Sequence, residues 1–261
     1  MLTQTRSKVI VALFVGGVFF IGAKIHQGGS QAAADATNAV ADIAHTKVAA
    51  AATCPEKLGG KKKVGIQAGH LAISELPDEQ DSLRYDYGAS SAGIDEVDID
   101  QDIAQRTVTL LKKQGIDAEV LPATVPQDYC ASAFVAIHAD GNDDTTVFGY
   151  KVAPSFWDTD GKAQSLSDNL QEDYGTATSM SLNPTITDNM TQYYAFNFGH
   201  FSHAIDAATP GALIEVGFLS NPTDRYRMVN SPALLAKGIA NGIQDFLNGK
   251  TVSVASSSSA N

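Results

Sequence analysis

One carboxylate interrupts the apolar run Ala212-Leu213-Ile214-Glu215-Val216-Gly217-Phe218-Leu219. Burying an unpaired carboxylate is costly, so such a group is paired, metal-associated or catalytic unless it is hydrogen-bonded at a strand end. Two further segments, Lys63-Val64-Gly65-Ile66-Gln67-Ala68-Gly69-His70 and Ala133-Phe134-Val135-Ala136-Ile137-His138-Ala139-Asp140, each read as a short apolar strand running into a histidine. Strands that finish on ligand-type residues imply one site along one sheet edge. Two imidazoles and an acidic third donor, with a position left for water, suit catalytic zinc. Glu96 is the best third donor, because it opens the helix that follows the first strand. Zinc lowers the pKa of water and polarises a carbonyl. Glu215 would then be a general base that hands the proton to a leaving amine.

The same residues have plainer readings, which composition and spacing leave open. A histidine at a strand end is often only hydrogen-bonded, and the helix dipole favours Glu96 at a helix start by about 0.3–1 kcal/mol. Asp95 and Asp98 compete with it as donors. His200 and His203 would share one face of an aromatic helix over Tyr194 to Ala207, either as a rival metal pair or in a substrate groove; Asn221 is a further groove candidate. Either histidine also fits an ordinary helix face. The carboxylates from Asp95 to Asp102 spread around one helix, so they do not select two opposed carboxyls across a sugar ring.

The elements that must position these residues follow from periodicity. Strands are expected at Lys62–Ala68, Ala118–Leu121, Ala133–His138, Thr146–Val152 and Ala212–Val216. Helices are expected from Val97 to Gln114, from Gly161 to about Tyr174, from Tyr194 to Ala207, and from Pro232 to Gly249. Alternating strands and helices point to a single α/β domain at 55–249, with a mostly parallel sheet and helices on both faces. In such sheets sites lie at the carboxyl ends of strands, where His70, His138 and Glu215 fall.

The chain has 261 residues, with 29 acidic against 18 basic ones, a balance of −11. That excludes nucleic acid as a charge-matched partner. Arg6 and Lys8 precede the apolar run Val9 to Ala23, as in an export signal or signal anchor over residues 1–26. Residues 9–23 would anchor the chain if uncleaved, and either reading puts the remainder outside the cytoplasm. Residues 27–54 read as an Ala-rich linker and 250–261 as a flexible Ser-rich tail. Export makes a disulfide between Cys54 and Cys130, the chain's two cysteines, an expectation, against two independent thiols.

Taken together, the sequence resembles the zinc-dependent N-acetylmuramoyl-L-alanine amidases of the amidase-3 family, over roughly Lys62 to Leu247. The matching pieces are Val64 to His70, Gly88-Ala89 followed by Glu96-Val97-Asp98, Ala136-Ile137-His138-Ala139, Gly149-Tyr150, and Pro210 to Asn221 with Asp224. Ile214 to Asn221 is the most specific piece. The resemblance implies zinc held by His70, Glu96 and His138, a catalytic Glu215, and hydrolysis of the amide between N-acetylmuramic acid and L-alanine of peptidoglycan. The chain is expected to be a monomer acting outside the cytoplasm. Gln67 stands where the family usually has Asp, Ala136 and Asp140 where it has Ser and Asn, and the usual Arg-containing helix is cut to Pro126–Cys130. The alternatives are a weak or inactive wall-binding module of the same fold, and a zinc peptidase acting within the stem peptide.

Overall fold

The structure, a computed structural model, describes residues 53–252. The expected leader at 1–26, most of the linker at 27–54 and most of the tail at 250–261 lie outside them. Among the described residues, no helix is long and apolar enough to cross a membrane.

A short helix α1 (Cys54–Leu58) leads into β1 (Lys63–Ala68). A hairpin of β2 (Ser90–Ser91) and β3 (Ile94–Asp95) then delivers the chain to α2 (Glu96–Lys113). β4 (Asp117–Leu121), β5 (Ala133–Asp140), β6 (Lys151–Pro154), α3 (Lys162–Thr178), α4 (Asp188–Thr191), β7 (Gly211–Phe218), α5 (Pro222–Asn230) and α6 (Pro232–Leu247) follow. The main sheet has the order β4-β1-β5-β7-β6. All of its pairings are parallel except β6 with β7. The single α/β domain and its mostly parallel sheet are as the sequence pattern requires.

The two faces of the sheet are covered differently. Val64, Ile66, Val135, Ile137, Ile214 and Val216 point to one face, where they pack against the apolar sides of α2, α3 and α6. With their neighbours on the other face they make these strands largely apolar throughout, as strands buried on both sides must be. Burying each such side chain fully contributes about 1.5–3 kcal/mol. Small residues let the helices close up: a Cβ on Gly242 of α6 would lie 2.7 Å from the Leu170 Cα of α3. Phe134, Ala136, Leu213 and Ala153 point to the other face, which is covered by α4, the 3-10 turn Tyr194–Phe196 and the irregular segments around Val125, Tyr129 and Ile205. Cys54 and Cys130 form a disulfide, with Cα atoms 5.4 Å apart, that ties α1 to the approach to β5.

Three expected elements differ. The expected helix over Tyr194–Ala207 is a single 3-10 turn followed by loop. Its apolar residues Ala195, Phe196 and Ile205 pack into one cluster under the sheet, and Asn197 to His200 turn the chain so that Ile205 N–H returns to Ala195 O at 2.9 Å. The expected strand at Thr146–Val152 begins only at Lys151, because Asn142 to Thr146 close on themselves through the Asn142 and Asp144 side chains. The segment after β7 holds a helix of its own, α5, which a break at Ser231 separates from α6.

Candidate active site

The site lies at the carboxyl ends of β1, β5 and β7, in a cavity of about 890 Å³. His70 stands two residues past the end of β1, after Gly69, and holds a left-handed backbone, φ 56°. Its Nδ1 lies 2.6 Å from the Asp86 carbonyl oxygen, which only accepts, so Nδ1 carries the hydrogen. In the neutral ring Nε2 is then bare, and it points at Glu96 Oε1, 3.3 Å away. His138 comes from β5, with Nδ1 2.9 Å from the same Glu96 oxygen and Nε2 3.1 Å from Tyr193 Oη.

Glu96 is the first residue of α2, and the β2–β3 hairpin aims it. Its backbone N–H donates to Ala89 O at 2.9 Å, and its Oε2 accepts from Ala89 N at 2.6 Å. Gly88 permits this close approach, since at φ +77° its Cβ would lie 2.6 Å from Glu96 Oε2 and 2.7 Å from His70 Cδ2. Burial works against ionisation of Glu96, but its hydrogen bonds and charge interactions with His138 and His70 win, holding the carboxyl far below its ordinary range. Burial likewise opposes protonation of His70, yet Glu96 and the Asp86 carbonyl raise it overall.

One donor atom from each of His70, Glu96 and His138 lies within 4.8 Å of the others. Two imidazoles and a carboxylate are a zinc donor set. Their surroundings fit a cation too. Asp100, one turn after Glu96 on α2, is completely buried with neither carboxyl oxygen hydrogen-bonded. Burial, then Glu96 and Glu215, push its pKa well above the usual carboxylate range. Glu215 is enclosed by protein except where it lines the cavity, and its Oε2 also lacks a partner. Burial, then Glu96 and Asp140, raise it strongly, while Lys151 pulls it down. Buried carboxylates crowded in this way are relieved by a bound cation.

The other sequence candidates sit elsewhere. His200 is exposed and lies outside the cavity wall. His203 is tied to Glu79, Nδ1 to Oε1 at 2.8 Å, and also lies off that wall. With no helix at 194–207, the two histidines share no helical face. Asn221 caps α5: Oδ1 accepts from Thr223 N and Asp224 N, and Nδ2 donates to Thr145 O at 2.9 Å. Those bonds occupy the side chain in holding a loop. Tyr193, just ahead of the 194–207 segment, is not among the sequence candidates; its contact with His138 depends on the turn that replaces the expected helix. Gln67 donates to Ala123 O at 2.9 Å, away from the donor atoms.

A mostly parallel α/β sheet whose carboxyl edge presents two histidines, a buried Glu96 and a partly buried Glu215 in one cavity defines a hydrolase-type active site. Residues 64–245 match the amidase-3 family model, described as N-acetylmuramoyl-L-alanine amidase, and the chain belongs to that family. It is thus an amidase of cell-wall peptidoglycan. Solved structures share the fold: an N-acetylmuramoyl-L-alanine amidase from Clostridium difficile 630 (TM-score 0.54, 21% identity, 73% of this chain and 98% of that one); amidase AmiC2 of Nostoc punctiforme (0.54, 21%, 72% and 98%); and Ami1 from Mycobacterium smegmatis (0.53, 19%, 72% and 97%). No curated protein matches the chain.

Proposed function

We propose that the chain is a zinc-dependent amidase in which His70, Glu96 and His138 hold the metal and Glu215 moves the proton. The observation that carries this reading is the convergence of those three donors with Glu215 in one cavity. Bound there, zinc would lower the pKa of water and polarise the scissile carbonyl. The chain supplies the rest. Asp86 fixes the tautomer and angle of His70, and Ala89 fixes Glu96. Tyr193 steadies the far edge of His138. Glu215 takes the proton of the attacking water and returns it to the L-alanine nitrogen. Burial raises the Glu215 carboxyl above its usual range, so it holds a proton more readily than a free carboxylate, which suits the return of that proton to nitrogen. Met190, Tyr193 and Leu213 on the cavity wall restrict solvent around the reacting atoms.

The chain works outside the cytoplasm in this reading. The polymer it acts on supports this, as does its disulfide, a bond that persists in oxidising compartments. Digestion of purified peptidoglycan followed by mass analysis tests the reading. Release of intact stem peptides with a free L-alanine amino group is expected. Cuts within the stem peptide would make the chain a peptidase. Wall binding without release would make it a binding module.

A further inference from the structure

Among the described residues, Lys151 is the one lysine or arginine on the wall of the catalytic cavity; Asp86, Glu96, Asp140 and Glu215 there are all acidic. Lys151 stands opposite Glu215 across β6 and β7, and Glu215 stands opposite His138 across β7 and β5. The three therefore form one cross-strand row on the face that opens into the cavity. The lysine side chain does not stop at its own neighbour. Its ammonium donates to Asp140 on β5, passing over β7, the strand of Glu215, and rests 4.7 Å from the centre of the Phe218 ring.

The pair is largely removed from water, with side-chain exposures of 8% for Lys151 and 22% for Asp140. A buried ion pair is a weak device for stability, because lost hydration offsets the attraction. A fixed ammonium in a water-poor cavity is a strong device for holding charge that develops during a reaction. Asp140 takes one of three N–H donors and the Phe218 ring supports the charge, which leaves donor capacity beside Glu215.

We propose that Lys151 is a further catalytic residue, donating to the oxygen of the scissile carbonyl as negative charge builds on it. This rests on the amidase reading. The water oxygen bonds to the carbonyl carbon, the C=O π pair moves onto the oxygen, and Glu215 takes the water's proton. On collapse the C=O re-forms, the C–N bond breaks, and that proton passes to nitrogen. A lactyl carboxylic acid, which gives its remaining water proton to solvent, and a free amine result, and the lysine keeps all its protons. An ammonium suits the oxygen, whereas the departing nitrogen needs the proton that Glu215 holds.

The test uses the full chain loaded with zinc, a soluble muramoyl-peptide fragment, and two variants. Lys151→Met keeps the length and removes the charge; Lys151→Met with Asp140→Asn removes both charges, so no buried carboxylate is stranded if the single variant folds poorly. Expected in both is a fall in kcat of about 10²–10³-fold with KM and zinc content little changed, while Tm falls in the single variant and recovers in the double one. Recovery of kcat in the double variant would make the pair structural and overturn the proposal. So would a rise in KM at constant kcat, or normal turnover in Lys151→Met. A wild-type chain that releases no stem peptide overturns the amidase reading itself, and the role of Lys151 with it.

Discussion

His138 and Glu215 are register partners on the neighbouring parallel strands β5 and β7. Adjacent strands lie about 4.8 Å apart, so two partners on one face are close neighbours whatever loops surround them. The sheet itself thus sets the spacing between a metal-type donor and the glutamate beside it.

Replacing Glu215 by Gln keeps the shape and removes the proposed base. Turnover should fall by roughly 10²–10⁴-fold, the usual scale of general acid–base contributions. Zinc content and Tm should hold. Loss of zinc in that variant would make Glu215 a ligand, and near-normal turnover would remove it from the mechanism.

Elemental analysis of the purified chain should give about one zinc per molecule, and His70→Ala should abolish both metal and activity. Zinc binds the folded site alone, so saturation at about 100 times Kd adds about 2.7 kcal/mol, and chelation should lower Tm measurably. Full activity in excess chelator would refute the site.

Gly88→Ala tests the glycine that lets Glu96 and His70 meet. A Cβ there would lie 2.6 Å from Glu96 Oε2, on a backbone at φ +77° that disfavours L side chains. Zinc affinity should drop, with the far-UV circular dichroism spectrum unchanged. Unaltered affinity would show that the hairpin shifts freely.

Removing the disulfide as Cys54→Ser with Cys130→Ser should cost about 2–4 kcal/mol, because the bond closes a loop with a sequence separation of 76. For a domain of this size that corresponds to a Tm lower by roughly 4–16 °C. Thermal unfolding under oxidising conditions reads it directly.

Glu79 links two segments near the cavity through His203 and Ser202. The His203 backbone N–H, opposed in part by desolvation and aided by the His203 and Ser202 side chains, lowers its pKa to about 2. A depressed carboxyl stabilises the fold above its unfolded pKa, near 4.3, and that gain disappears as pH falls through the folded value. The Tm advantage of wild type over Glu79→Gln should be present at pH 6 and vanish between about pH 4.3 and 2. Because Glu79 is well exposed, the advantage will be small. An advantage that grows on acidification would reverse the assignment.

Much of the fold and site was legible because strands buried on both faces leave apolar runs, and a polar residue within or closing such a run stands out. His70, His138, Glu215 and the order of the main strands follow from that signal. The segment Tyr194–Ala207 misled for the same reason. Its apolar residues have helical spacing, yet they dock on the sheet through turns, and periodicity does not distinguish the two.

By itself, then, the sequence determined which residues carry ligand chemistry, which strands hold them, and that the strands alternate with helices. Only the tertiary structure decided which donors meet. Glu96 rather than Asp95 or Asp98 faces the histidines because a two-stranded hairpin and Gly88 turn the first residue of α2 inward. Asn221 is spent on a helix cap, and Lys151 crosses a strand to reach Asp140. Such choices depend on contacts between residues far apart in the chain, and local pattern contains no record of them.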